Sequence, residues 1–376
     1  MRIPFNRPAL AGPELEYIAE AIRSGHASGD GCYTRKCQTL LEQALGAPRA
    51  LLTTSCTDAL EMAALLLNLE PGDEVVVPSF AFVSTANAFA LRGARVVFAD
   101  VREDTLNLDE TRLEARLTPR TRALVALHYA GVACEMDAIL EIAGRRGAAV
   151  VEDNAHGLFG RYRGQALGTL GRFAAQSFHE TKNIQCGEGG ALLLNDPRDI
   201  DRAEILREKG ADRSRFFRGQ VDKYTWVDLG SSFLPSDILA AFLCAQLEAR
   251  DRIQARRRRI WERYQEGLTD WAARSGVRLP VVPQHCEQSW HMFYLLLPGA
   301  ERRQALIEHL RAHGILAVFH YQPLHLSKMG RGFGARPGDC PVTEQVADRL
   351  LRLPFYNDLT DADQDEVIGR IRAFHV

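Results

Sequence analysis

Short apolar runs punctuate the first part of the chain: 49–52 (RALL), 74–77 (EVVV), 95–98 (RVVF), 123–127 (ALVAL) and 148–151 (AAVV). Each is too short for a helix and too uniformly apolar for a strand with one wet face, so each predicts a strand buried on both sides. Between them the spacing turns helical, as with Met136, Ile139, Leu140 and Ala143 at i, i+3, i+4 and i+7. Before them, residues 13–24 predict a helix with proline in its first turn and Gly25 after its end, and residues 33–45 predict another. Buried strands alternating with helices imply an α/β fold, a mostly parallel sheet with helices on both faces. After Asp237 the texture changes to one predicted helix from 236 to about 268, a lone strand candidate at 292–297, and further helices. The expected division is a large domain over 1–235 and a smaller C-terminal α/β domain over 236–376.

Composition narrows the chemistry. A formal net charge of -2 provides no field to draw nucleic acid or an anionic membrane, so neither is an expected partner and any anion must be held locally. The run RRRR at 256–259 does not alter this, because a helix points its four arginines in four directions, as on a solvated or interface face. No stretch reaches the ~18 apolar residues of a spanning helix, and the opening MRIPFNRPALAGPELE lacks a leader's apolar run, so the expected location is cytoplasmic. The eight cysteines show no CxxC and no metal-ligand spacing, and are read as reduced thiols with no metal site.

Ligands of parallel sheets sit at the carboxyl ends of strands, and four such places carry polar residues. After 49–52 comes TTSCTDAL, leading into a helix from about Thr57, either an anion seat at a helix N-terminus or the helix's own cap. After 148–151 comes EDNAHG, an acidic pair that anchors a cation or caps the next turn. After 74–77 comes PSFAFVSTANA, in which Phe82 offers a flat face or joins the core. Last, SFHETKNIQCGEGG holds Lys182, a desolvated nucleophile toward carbonyl carbon or an ordinary loop lysine. Taken together, a phosphate anchor, a carboxylate, an aromatic face and a nucleophilic lysine are what pyridoxal phosphate requires. A protein that only bound ligands would have no need of that lysine.

The stretches SFHETKNIQCGEGGALLLND, VEDNAHGLFG, TTSCTDALE and VPSFAFVSTANA resemble the motifs of the DegT/DnrJ/EryC1/StrS sugar aminotransferases, and the likeness extends through HMFYLLLP, VFHYQPLH and LRLPFYNDLT. The resemblance implies the fold-type-I, aspartate aminotransferase-like architecture of pyridoxal phosphate enzymes. It implies that Lys182 forms the Schiff base, Asp153 pairs with the pyridine nitrogen, His156 lies near the ring on the same side and Phe82 stacks on the other face. Thr57, Asp58 and Ser177 would hold the phosphate. In DLGSSFLPSD, Ser232 stands where the commoner pattern has asparagine and Leu234 where it has arginine. In the family this loop comes from the neighbouring subunit, which implies a homodimer with shared sites and assigns Ser232 to the partner's cofactor; the glycines of GEGG would let that partner approach.

The resemblance further implies L-glutamate as amino donor, released as 2-oxoglutarate, and dTDP-4-keto-6-deoxy-glucose as acceptor, aminated at C4 with galacto configuration. Lysine at 182, where the family's sugar dehydratases carry histidine, implies transamination. Arg207, Lys209, Arg213, Arg215, Arg218 and Lys223 form a cluster that suits a diphosphate or a solvated or interface loop. His291, His320 and His325 are expected to be structural.

Overall fold

In the computed structural model, which describes residues 1–375, the apolar runs are strands of one seven-stranded sheet. In chain order the strands are β1 (Arg49–Thr53), β2 (Glu74–Pro78), β3 (Arg95–Ala99), β4 (Thr121–Leu127), β5 (Ala149–Asp153), β6 (Arg161–Tyr162), β7 (Gln165–Ala166), β8 (Phe173–Ser177), β9 (Gly190–Leu194), β10 (Cys286–Glu287), β11 (Tyr294–Leu296) and β12 (Leu350–Arg352). The large sheet runs β1-β9-β8-β5-β4-β2-β3; only β9 is antiparallel to its neighbours, and β6, β7 and β10 form a small side sheet.

The helices are α1 (Glu14–Arg23), α2 (Cys32–Leu45), α3 (Cys56–Leu66), α4 (Val83–Ala90), α5 (Met136–Arg146), α6 (Ile200–Arg207), α7 (Arg213–Phe217), α8 (Asp237–Glu248), α9 (Arg250–Ser275), α10 (Ala300–Ala312), α11 (Lys328–Gly332), α12 (Pro341–Arg349) and α13 (Asp361–Arg372). Alternation along each strand sends side chains to both faces of the sheet. Leu51, Val75, Val77, Val125 and Val151 pack with α3 on one face. On the other, Ala50, Leu52 and Leu193 pack with α2 and α8, and Val76, Leu124 and Val150 with α5. This is why the runs carry no polar alternation. A separate core joins α9 to α10, α13, β11 and β12 through Ile260, Tyr264, Leu268, Phe293 and Leu351.

The single helix expected from 236 to about 268 is two, α8 and α9, divided at Ala249 with φ −87° and ψ 6°. Alanine gives no local signal for a break. The break comes from tertiary demand, since α8 buries its apolar surface on the sheet while α9 joins the C-terminal core. The arginine run is also less solvated than expected. Arg257 is buried and donates to the carbonyls of Trp290 and His291 at 3.1 and 2.6 Å, while Arg256 and Arg259 reach Asp361 on α13. Among the described residues no helix is long and apolar enough to cross a membrane.

Candidate active site

At the carboxyl edge of the sheet, Gly190 at the start of β9 lies across from Thr53 on one side and Ser177 on the other. A Cβ on Gly190 would stand 2.4 Å from the Ser55 carbonyl and 2.5 Å from the Cys56 nitrogen, so only glycine lets the loop after Lys182 close onto the start of α3. Of the three glycines in GEGG, Gly190 serves a close approach to the chain's own α3. Ser55 is the N-cap, accepting from the Asp58 amide at 3.0 Å. The amides of Cys56 and Thr57 have no acceptor among the described residues. Ser55, Cys56, Thr57 and Ser177 all line one cavity of about 1080 Å³. The stretch is both things its sequence allowed: a capped helix, with free amides and partial positive charge left over for an anion.

The acidic pair of EDNAHG divides by the same alternation. Glu152, fully buried, turns away from the cavity and accepts from the amides of Gly168, Leu170 and Gly171 at 2.7, 2.8 and 2.7 Å and from His128 Nε2 at 2.9 Å. Asp153, at the end of β5, lines the cavity; its Oδ2 accepts from Thr85 Oγ1 at 2.6 Å and its Oδ1 from the Ala155 amide at 3.2 Å. One carboxylate therefore caps the turn while its neighbour is left to face a ligand.

Lys182 sits in the turn between β8 and β9, fixed by its amide on the His179 carbonyl at 2.8 Å and by Glu180 N–H on Gly187 O at 2.9 Å. Its side chain lines the cavity, and among the described residues Nζ has neither hydrogen bond nor ion pair. Desolvation pulls the ammonium down to about 8, partly opposed by its neighbours Cys56 and Asp153 and aided by Arg352. Burial holds the Cys56 thiol well above its ordinary range, so it stays protonated.

Aromatic side chains wall the rest. Phe82 is 57% exposed and lines the cavity, whereas Phe80 enters the core, which decides between the two readings of Phe82. His156 is stacked on His291 with centroids 4.3 Å apart and 17° between planes, and its Nε2 meets the Tyr321 hydroxyl at 3.3 Å. His156 Nδ1 is buried without a partner among the described residues. Desolvation pushes His156, His291 and His320 well below the ordinary histidine range, so all three are neutral imidazoles. Tyr321 takes φ +35°, a strained value for a bulky residue, held by stacking on His320 at 3.6 Å. His325 differs from the other two: it is sealed between Ser79 Oγ at 2.6 Å and Glu344 at 2.9 Å, tying the loop after Tyr321 to the end of β2.

The cavity thus gathers Thr57, Phe82, Asp153, His156, Ser177 and Lys182. Asp58 is outside it; its carboxylate takes the Thr54 hydroxyl and its amide is spent on Ser55. Ser232 is exposed, bridges to Glu208 and does not line its own chain's cavity. Arg207, a candidate for a diphosphate, is instead buried against Gln38 Oε1 at 2.9 Å and Asp30 at 2.6 Å, a structural tie. Lys209, Arg213, Arg215 and Arg218 pair with Glu208, Asp201 and Glu204 near α6. Sequence reasoning passed over Thr85, Tyr321, Arg352 and the N-terminal Phe5 and Asn6, which also line the cavity. Thr85, Tyr321 and Arg352 fall inside stretches that carry the family likeness, but nothing local singled these residues out, because their partners lie far away in sequence.

The group implied by the sequence fits these residues. Free helix amides and the Ser177 hydroxyl suit a phosphate, the orphaned Nδ1 of His156 and the oriented carboxylate of Asp153 suit a heteroaromatic ring, and the unpaired amine of Lys182 suits an aldehyde.

Comparison with known proteins agrees with this arrangement. The profile of the DegT/DnrJ/EryC1/StrS aminotransferase family matches residues 8–372. The spore coat polysaccharide biosynthesis protein SpsC of Bacillus subtilis is 32% identical, over 98% of this chain and 96% of its own. Among solved structures, the aminotransferase TlmJ from Streptoalloteichus hindustanus is 34% identical with a TM-score of 0.90, covering 99% of this chain and 98% of the other. Spr1654 from Streptococcus pneumoniae, in its PLP-form, is 25% identical with a TM-score of 0.91, covering 99% and 98%.

Proposed function

We propose, from the premise that the chain belongs to the DegT/DnrJ/EryC1/StrS aminotransferase family, that it is a dTDP-4-amino-4,6-dideoxygalactose transaminase. It is a pyridoxal phosphate enzyme that moves an amino group from a donor to the keto group of a nucleotide-linked sugar. In our reading the donor is L-glutamate, the acceptor is dTDP-4-keto-6-deoxy-glucose, and the products are 2-oxoglutarate and dTDP-4-amino-4,6-dideoxy-galactose. The stretches SFHETKN, REKGADRSRFFRGQVDKYTW and DLGSSFLPSD support that choice of sugar. The name of SpsC supports polysaccharide biosynthesis as the use of the product.

The observation that carries the reaction is the unpaired Lys182 amine beside Asp153 in a cavity of about 1080 Å³, roomier than the roughly 300–1,000 Å³ of ordinary ligand pockets. When bound, pyridoxal phosphate supplies an electron sink that renders the hydrogen on the amino-bearing carbon acidic. Lys182 Nζ, with its proton affinity lowered to about 8, takes and returns that proton near neutral pH. Asp153, positioned by Thr85 and the Ala155 amide, would hold the protonated ring nitrogen. The Cys56 and Thr57 amides and Ser177 would hold the phosphate, and Phe82 and neutral His156 line the same cavity and would cover the ring. We place Ser232 at the site of a second copy in a homodimer, since in its own chain it stands apart from the cavity.

A visible spectrum tests the reading. The expected result is a yellow band that bleaches with L-glutamate and returns with dTDP-4-keto-6-deoxy-glucose. Bleaching without return would reject this sugar and leave another nucleotide-linked keto sugar as acceptor; no band with added cofactor would reject the enzyme reading.

A further inference from the structure

Asn183, the residue after Lys182, fixes the proton on one histidine of the cavity wall. Its Nδ2 donates to the Ser289 carbonyl at 2.6 Å and to Gln254 Oε1 at 3.0 Å. A backbone carbonyl only accepts, so the amide has one orientation, and Oδ1 is the atom that meets His291 Nδ1 at 2.9 Å. Oδ1 also only accepts, so Nδ1 carries the ring's proton. His291 stays neutral, because burial first, and then His156, Lys182, Arg257 and His320, oppose a second proton. Nε2 is therefore a bare acceptor. It has no hydrogen-bond partner among the described residues, and unlike the Nδ1 of His156 it is not sealed in protein; the ring lines the cavity with Lys182. The ring is also held firmly in place. It stacks on His156, Arg257 Nη2 donates to its carbonyl at 2.6 Å, and Trp290 just before it takes φ +50°, a strained value for a bulky residue.

A bare nitrogen this deep needs a donor. L-Glutamate offers none once its amine is committed to the cofactor, because both of its carboxylates accept. The sugar offers hydroxyls. In a 4-keto-6-deoxy hexose C5 bears the methyl group, so only C3 bears a hydroxyl beside the reacting carbon. His291 abuts His156 and stands close enough to Lys182 that the lysine's charge opposes its protonation, which places it by the reacting carbon rather than out toward the nucleotide. Resting on the transaminase reading and its 4-keto sugar, we propose that His291 Nε2 accepts the C3 hydroxyl of the sugar and so sets the keto carbon toward Lys182. The contact serves the acceptor half of the reaction alone.

The test uses holoenzyme and the variants His291→Phe, which keeps a ring against His156, and His291→Gln, whose amide oxygen extends toward the place of Nε2. Bleaching of the cofactor band by L-glutamate and its return with dTDP-4-keto-6-deoxy-glucose are followed separately, each over a range of ligand concentration. The return is repeated with the 3-deoxy and 2-deoxy analogues of the sugar. A hydroxyl left without its buried acceptor costs roughly 5- to 150-fold in affinity, and His291→Phe is expected to lose that much for the sugar. Its bleaching by L-glutamate stays within about threefold of the parent and its band does not move. The parent loses a like factor for the 3-deoxy sugar and little for the 2-deoxy sugar, whereas His291→Phe treats the full and 3-deoxy sugars alike. His291→Gln recovers part of the loss. Bleaching and return slowed together would make His291 a prop for Asn183, a moved band would give the nitrogen to the cofactor, and an equal 3-deoxy loss in parent and His291→Phe would deny the contact; each overturns the proposal. A parent whose band bleaches and never returns rejects the sugar, one that answers no amino acid sinks the transaminase reading, and the proposal falls with either.

Discussion

Thr85 Oγ1 donates to Asp153 Oδ2 at 2.6 Å, joining the first turn of α4 to the end of β5 and aiming the carboxylate into the cavity. Both groups are nearly inaccessible, so this bond fixes how the carboxylate is turned toward the cavity. Asp153→Asn should lower kcat by at least about a hundredfold, because an amide does not sustain the ring nitrogen's proton. Thr85→Val, which keeps the shape, should cost about tenfold while Thr85→Ser stays near the parent. Steady-state kinetics of the three variants check this; full turnover in Asp153→Asn would refute the pairing.

The depressed proton affinity of Lys182 predicts a pH dependence. In cofactor-free protein, the rate of amine labelling at Lys182 should rise with a midpoint near 8 rather than at 10.5. The sign for stability follows from linkage: between those values the unfolded chain binds the extra proton, so this group makes folding more favourable as pH rises from about 8 to 10.5. Mass spectrometry of labelled peptides gives the midpoint, and thermal melts of Lys182→Met against the parent give the slope.

Gly190 leaves no room for a side chain. Gly190→Ala places a carbon against the Ser55 carbonyl and should cost about 1–3 kcal/mol of stability. It also pushes the β8–β9 turn away from α3, so cofactor affinity should fall with it. Gly187→Ala, where a Cβ would meet nothing within 4 Å but φ is +81°, should cost about 1 kcal/mol with cofactor affinity kept. Denaturant melts and cofactor titration separate the two.

Arg257 supports the site from behind. It holds the carbonyls of Trp290 and His291 and lies 4.7 Å from the Phe355 ring centre. Burial pulls its guanidinium down to about 9. Arg257→Met strands two carbonyls and should destabilise the fold by about 3 kcal/mol, loosening His291 against His156. Calorimetric melts of the variant should show a lower Tm; an unchanged Tm would refute the tie.

Helix α2 shows how far local sequence reads. Its span from Cys32 to Leu45 follows from apolar spacing and from Gly46 at its end, but its N-cap, Gly31, has no side chain. The cap arrives from α8: the fully buried Asp237 accepts from the amides of Tyr33 and Thr34 at 3.2 and 2.7 Å. Arg207 gives the same lesson inverted, a cation that looked free in the chain and is consumed by Gln38 and Asp30.

By itself the sequence determined the layered α/β fold and the chemistry at the strand ends. Burial on both faces leaves an uninterrupted apolar run, and a glycine-bounded lysine turn and a strand-ending carboxylate are local features that any fold of this class sets at one edge. Only the tertiary structure decided which member of each polar stretch faces the cavity. It sent Glu152 to a turn and Asp153 to the site, kept Asp58 for its own helix, divided α8 from α9 at an alanine, and brought Phe5, Tyr321 and Arg352 to Lys182. Apart from Asp58, held by Thr54 and Ser55 in its own turn, those outcomes depend on partners tens to hundreds of residues away, whose packing and hydrogen bonds leave no periodic mark along the chain.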